Sequence, residues 1–333
     1  MMKAVGRDLG AGASVTKLAA HGLVLASPWA FAQCQPIPDE APVDLLLERG
    51  GRRSLRPTQW QVNDPSHLSV ASDPAGVYLF SYCGSRAFLP YHLERPAARA
   101  QVWRGAAISR ERFEHTVLHA FLPNLIAVLG HVVLHAASVV IAGRAWLFAG
   151  ESGIGKSTLA AGFARLGRPV LAEDIVRLDW QDGRAVTFPS YRTARLRSSS
   201  FLLPSDLRRA RAGRFGLPKH QIPLAPLDPM QPVPLGGLLL LGRSRQTLPT
   251  IEPLMPVAAL PSVLGVSFLQ GLPPAVRSRE AIERAARILR TIPVFRLRYR
   301  RSAGHFPDLL DRLCEALPPL AMPLPTASPA LHR

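Results

Sequence analysis

Cysteine is scarce in this 333-residue chain: Cys34, Cys83 and Cys314 are scattered and odd in number. They cannot build a disulfide framework, and without a C-x-x-C pair they outline no zinc site. Lysine is scarcer than the charge suggests. It stands only at Lys3, Lys17, Lys156 and Lys219, so nearly all of the 40 basic residues are arginine. Long apolar runs are missing too. A spanning helix needs about 20 predominantly apolar residues, yet the most apolar stretch, 121–142, contains Pro123, Asn124, His131 and His135. It reads as a buried helix followed by a buried strand, which argues against a membrane partner. Residues 18–32 follow Lys17 and end in Ala30-Phe31-Ala32, the outline of a signal-peptide cleavage site. His21 and Pro28 break that run and Asp8 precedes it, so a reduced, cytoplasmic compartment is the expectation.

What is present suffices for a packed core: 47% of the residues are hydrophobic. At roughly 150 residues per domain, the length allows one large domain or two modest ones. With 40 basic residues against 23 acidic, the formal net charge is +17. The simplest source is a coding bias towards arginine. The functional reading is an anionic partner: a nucleotide, an acidic peptide or nucleic acid. No motif interleaving aromatic and basic residues accompanies the charge, so nucleic acid is not the expected partner. In such a chain a retained lysine stands out, and Lys156 is the one that matters.

The texture divides the chain at about residue 112. Residues 1–112 hold short strand-like runs at 23–26, 43–47, 76–83 and 86–91 with turn residues between them, a small β-rich domain. Residues 113–333 hold longer segments of both kinds. Helices are expected over 111–122, ended by Pro123, then 125–131, 253–269 and 280–289. Strands are expected over 139–142 and 145–149, joined by a tight turn at Gly143-Arg144. Others are expected at 170–172, 235–241 and 294–299. A helix over 158–166 stops at Gly167. The alternation gives an α/β class.

Gly150-Glu151-Ser152-Gly153-Ile154-Gly155-Lys156-Ser157 fits G-x-x-x-x-G-K-[ST]. Glycines let the backbone wrap a phosphate chain, so that successive N–H groups and a helix N-terminus point at the anion. Lys156 is spaced to reach β- and γ-phosphates, and the Ser157 hydroxyl to ligate Mg²⁺. An apolar strand precedes the loop and a helical pattern from Thr158 follows it. A nucleotide with Mg²⁺ is the implied ligand, held by residues 150–158.

Glu173 and Asp174 stand at the end of the 170–172 strand, where open α/β sheets gather their ligands. Neighbours on an extended strand point to opposite faces, so the two acids share a task only if the chain turns there. His135 begins the strand pair that leads into the loop. His115 and His119 have helical i, i+4 spacing, but no H-E-x-x-H accompanies them and no metal site is assigned there.

Leu134-His135-Ala136-Ala137-Ser138, Gly143, the 150–157 loop, and Gly167-Arg168-Pro169-Val170-Leu171-Ala172-Glu173-Asp174 together resemble the catalytic domain of HPr kinase/phosphorylase. The resemblance is closer to stand-alone HPr-kinase-like serine kinases of biosynthetic clusters, such as lasso-peptide precursor kinases. It is specific over about 130–180, fainter at 188–192, 219–243 and 293–297, and weak in the first third. It implies a phosphate-loop kinase domain behind a small β-rich domain. It also implies transfer of a γ-phosphoryl group from ATP to a serine of a small protein or peptide. Asp174 would accept the hydroxyl proton, Lys156 would stabilise the phosphoryl charge, His135 would support the site, and Ser157 with Glu173 would face the metal. Homo-oligomers are common in the family.

Two departures limit what carries over. Glu173 stands where the family usually has Asp, and the downstream Gly- and Glu-containing signature is replaced by Tyr191-Arg192-Thr193-Ala194-Arg195-Leu196. Reverse phosphorylase activity is therefore not expected, and HPr is not the obvious substrate. The arginine-rich 192–219 stretch is either a solvated basic face or a grip for phosphate or acidic peptide. The alternative function is a nucleotide-binding regulatory protein without phosphoryl transfer.

Overall fold

The computed structural model describes residues 15–50, 59–62, 69–72, 77–82, 85–90, 98–198, 200–203, 219–268 and 274–320. Cys83 and most of the 192–219 basic stretch lie outside them. The chain groups into two units, one of Met1–Ala19 with Leu23–Thr116, the other of Ala20–Gly22 with Val117–Arg333. Among the described residues no helix is long and apolar enough to cross a membrane.

The first unit is built on a nine-stranded sheet. Its strands are β1 (Thr16–Ala20), β2 (Leu23–Ser27), β3 (Gln35–Pro36), β4 (Leu45–Arg49), β5 (Gln59–Val62), β6 (Ser69–Ser72), β7 (Val77–Tyr82), β8 (Ser85–Pro90) and β9 (Ala98–Trp103). Their order is β3-β1-β2-β4-β9-β8-β7-β6-β5. Alternation on β9 buries Ala98, Ala100 and Val102 and leaves Arg99 exposed. Helix α1 (Arg110–Thr116) buries Phe113, whose ring meets Trp29 edge-on at 5.0 Å. The β-rich texture was legible, but β1 precedes the first strand expected at 23–26.

The second unit is a mixed α/β layer structure. After α2 (Leu122–Val128) come β10 (Val132–Leu134), β11 (Ala136–Ile141), β12 (Arg144–Ala149), α3 (Lys156–Arg165), β13 (Val170–Ala172), β14 (Val176–Gln181) and β15 (Arg184–Thr187). Then follow β16 (Thr193–Arg197), β17 (Lys219–Pro223), β18 (Val233–Arg243), β19 (Thr250–Pro253), α4 (Pro256–Gly265), α5 (Pro274–Thr291), β20 (Val294–Tyr299) and α6 (Phe306–Leu320). Strand β18 pairs in parallel with β12 on one side and β20 on the other. Strands β11 and β13 continue the sheet antiparallel to their neighbours, so β13 runs in the direction of β12. The carboxyl ends of β12, β13, β18 and β20 therefore share one edge.

Strand β12 carries apolar residues on both faces, as a strand covered on two sides must. Trp146 and Phe148 join a cluster with Phe163 of α3 and Leu309, Leu310 and Leu313 of α6. Ala145, Leu147 and Ala149 join a second cluster with Ala259 and Val263 of α4 and Ala285 and Ile288 of α5. Phe148 and Phe163 stack at 5.8 Å, and full burial of side chains this size is worth about 1.5–3 kcal/mol each. Gly236 and Gly237 on β18 make room for Trp146: a Cβ there would lie 2.6 and 2.7 Å from the indole.

Four local expectations are corrected. Pro123 does not end a helix; it opens α2, where its missing N–H costs nothing. Between α1 and α2 the chain widens into a π-helical turn, Val117–Phe121, which breaks the expected i, i+4 register of His115 and His119. The β11–β12 turn uses Ala142 and Gly143, both with positive φ of 50° and 73°, not Gly143-Arg144. Two positive φ values are what a two-residue hairpin of this hand requires. The expected helices at 253–269 and 280–289 are instead α4 and a longer α5.

Candidate active site

The 150–157 loop leaves the carboxyl end of β12 and enters α3. Gly150, Gly153 and Gly155 have φ of 149°, 81° and 130°, a region that side chains disfavour. At Gly155 space is also lacking: a Cβ would lie 2.1 Å from the Tyr299 hydroxyl. Tyr299, at the end of β20, donates to the Ile154 carbonyl at 3.1 Å. Burial pushes its pKa up to about 12, which keeps the phenol protonated and a donor. Lys156 is buried, and its ammonium donates to the Gly150 carbonyl at 2.7 Å and the Glu151 carbonyl at 3.1 Å. Two exposed arginines brace the outer loop: Arg197 Nη2 donates to Ser152 Oγ at 3.0 Å, and Arg301 Nη1 to the Gly153 carbonyl at 3.1 Å. Thr158 lies buried in the first turn of α3.

At the end of β13 the backbone bends through Glu173 and Asp174. The bend lets both acids meet one partner, which a straight strand would forbid. Glu173 is 4% exposed; its Oε1 accepts from Ser157 Oγ, and its Oε2 lies 4.0 Å from Arg195 Nε. Arg195 Nη2 donates to Asp174 Oδ2 at 2.9 Å. His135 Nδ1 lies 3.2 Å from Asp174 Oδ1 and 3.1 Å from its backbone carbonyl. A continuous polar chain thus runs Ser157–Glu173–Arg195–Asp174–His135.

His119 completes the cluster from the π-helical turn. Its Nδ1 lies 3.7 Å from Asp174 Oδ2 and 3.2 Å from Arg195 Nη2. Burial alone would raise the Asp174 pKa, but His119, His135 and Arg195 outweigh it and hold the carboxyl well below the usual carboxylate range. Tyr191 packs edge-on against His119 at 4.9 Å and, on another side, against His21, also at 4.9 Å. It donates to the Leu118 carbonyl at 2.6 Å.

The structure brings together Ser157, Glu173, Asp174 and His135, the residues that the resemblance picked out, and keeps Lys156 on the first residues of its loop. Sequence reasoning missed Arg195 and His119 as members. Arg195 was hidden among many arginines; alternation on β16, with Ala194 and Leu196 in the core, is the signal that turns it inward. Among the described residues no group of three or more His, Cys, Asp or Glu side chains could hold a metal ion by itself. Ser157 and Glu173 supply two adjacent oxygens, the hard donors that Mg²⁺ takes when phosphates and water complete its shell. They fit such an ion.

No protein-family model matches the chain, and no curated protein matches it. Among solved structures it is similar to the Hpr(Ser) kinase/phosphatase from Coxiella burnetii, at 14% identity and a TM-score of 0.30. That similarity covers 55% of this chain and 93% of the other. At such a TM-score the likeness establishes neither fold nor activity.

Proposed function

We propose that the chain is an ATP-dependent kinase that phosphorylates a serine hydroxyl of a small protein or peptide. The observation that carries this reading is the bond from Ser157, in the phosphate loop, to Glu173, whose neighbour Asp174 shares Arg195 with it. A phosphate-binding turn and an acidic pair on one polar chain are the parts that phosphoryl transfer needs, since the reaction is mostly positioning and electrostatics.

In this mechanism the loop N–H groups and Lys156 hold the triphosphate and stabilise charge on the γ-phosphoryl group. Asp174 accepts the hydrogen bond of the incoming hydroxyl and aims its oxygen. The oxygen bonds to the γ-phosphorus while the bond to the β–γ bridging oxygen breaks, and the nucleoside diphosphate leaves with that electron pair. The hydroxyl proton passes to Asp174 and on to solvent. A carboxylate held strongly ionised is a weak base, so its transfer comes late and orientation is its main contribution. His135 steadies the carboxylate from the other side. Ser157 and Glu173 would hold Mg²⁺, which supplies positive charge against the phosphate oxygens.

Binding is tested by titrating Mg-ATP into the full chain by calorimetry and by thermal shift. The wild type is expected to bind and to gain stability, and Lys156→Ala to lose both. A wild type blind to Mg-ATP would overturn the reading. A second reading, a nucleotide-binding regulator without transfer, is favoured by one contact: the 2.9 Å ion pair that already engages Asp174 with Arg195. It expects the same stabilisation with no labelled product.

A further inference from the structure

Strand β16 carries a second arginine on the face that presents Arg195. Ala194 and Leu196 enter the core, so Thr193, Arg195 and Arg197 share the opposite face. Arg195 reaches the acidic pair, and Arg197 reaches Ser152 in the loop. Alternate residues of a strand stand roughly 6.5 Å apart. One strand face therefore runs from Asp174 to the outer lip of the loop.

Lys156 marks which end of the cradle that lip is. Its ammonium lies on the carbonyls of Gly150 and Glu151, and a lysine in this motif serves the β- and γ-phosphates. Ser152 is the next residue, so the Arg197 guanidinium and the Lys156 ammonium engage neighbouring positions of the same loop segment. The present partner of Arg197 is a neutral hydroxyl. A phosphate offers charge-assisted, two-pronged bonds that suit a guanidinium better. Arg195 differs: it is buried and ion-paired with the acids. Arg301 differs as well, since it braces a backbone carbonyl.

We propose that Arg197 contacts the terminal phosphate and makes the site prefer a nucleoside triphosphate over a diphosphate, while β16 sets the spacing from that phosphate to Asp174. This rests on the nucleotide-binding reading above. The test measures calorimetric affinities of the full chain for Mg-ATP and Mg-ADP, in wild type, Arg197→Ala and Arg197→Lys, with melting temperatures as a fold control. The wild type is expected to favour ATP. Arg197→Ala weakens ATP binding about tenfold or more, the weight of one charge-assisted bond, and leaves ADP binding unchanged; Arg197→Lys recovers part of the preference. If Arg197→Ala weakens both nucleotides equally, or neither, at an unchanged melting temperature, Arg197 is only a loop brace and the proposal is overturned. A wild type that binds neither nucleotide removes the nucleotide reading itself, and this inference with it.

Discussion

The Ser157 hydroxyl donates to the Glu173 carboxylate, tying the first turn of α3 to the end of β13. Ser157→Ala removes an oxygen donor and unties the two. Binding of ATP in the variant is expected to lose most of its dependence on Mg²⁺. Thermal shifts with ATP in magnesium and in EDTA measure this, and an undiminished magnesium effect would take Ser157 out of the metal shell.

Gly155 is confined twice, by a φ of 130° and by the Tyr299 hydroxyl beneath it. Gly155→Ala should cost about 1–3 kcal/mol from backbone strain, with the clash added, and should abolish stabilisation by ATP. Tyr299→Phe removes one hydrogen bond, worth about 1 kcal/mol. Urea denaturation orders the two variants, and an equal cost would contradict the geometry.

Arg195 is buried between Glu173 and Asp174. Arg195→Leu leaves two acids without their shared cation, and breaking a buried pair costs about 3–5 kcal/mol. Arg195→Lys keeps the charge but not the two-armed reach, so it should fall between. A stability loss below 1 kcal/mol in Arg195→Leu would mean that solvent already screens these acids.

His21 is buried beside Tyr191 with Arg177 and His119 near it, and burial first, then those charges, lowers its pKa to about 3. The unfolded value is 6.5, so between the two the unfolded chain binds the extra proton. Stability from this group is complete above pH 6.5 and is lost as pH falls towards 3, at up to about 1.4 kcal/mol per pH unit. Asp174, held below its ordinary range, adds its own loss as pH falls below the unfolded carboxylate value. His21 has a φ of 58°, which asparagine tolerates. His21→Asn should therefore flatten the slope between pH 6 and 4 in urea melts, by about one proton.

Local chemistry explains what was legible in the sequence. The 150–157 loop, the strands beside it and the acids at 173 and 174 announce themselves within a few residues. Gly155 shows its need for flexibility in the motif, but the reason its space is closed lies at Tyr299, a distant residue brought in by parallel pairing of β20 with β18. Arg195 needs strand alternation and a neighbouring bend before it differs from any other arginine. His119 was passed over because its partners, Asp174 and Arg195, lie far along the chain and only the fold brings them to it. Pro123 misled for another reason: a proline that stops one helix can equally start the next.

The central claim is tested most directly by incubating the full chain with Mg-ATP labelled in its γ-phosphate and synthetic peptides that carry a serine. Wild type should label serine. Asp174→Asn should bind ATP as tightly while transferring at least about 100-fold less, the lower range for losing a positioned acid–base group. Equal labelling by both proteins would contradict the account.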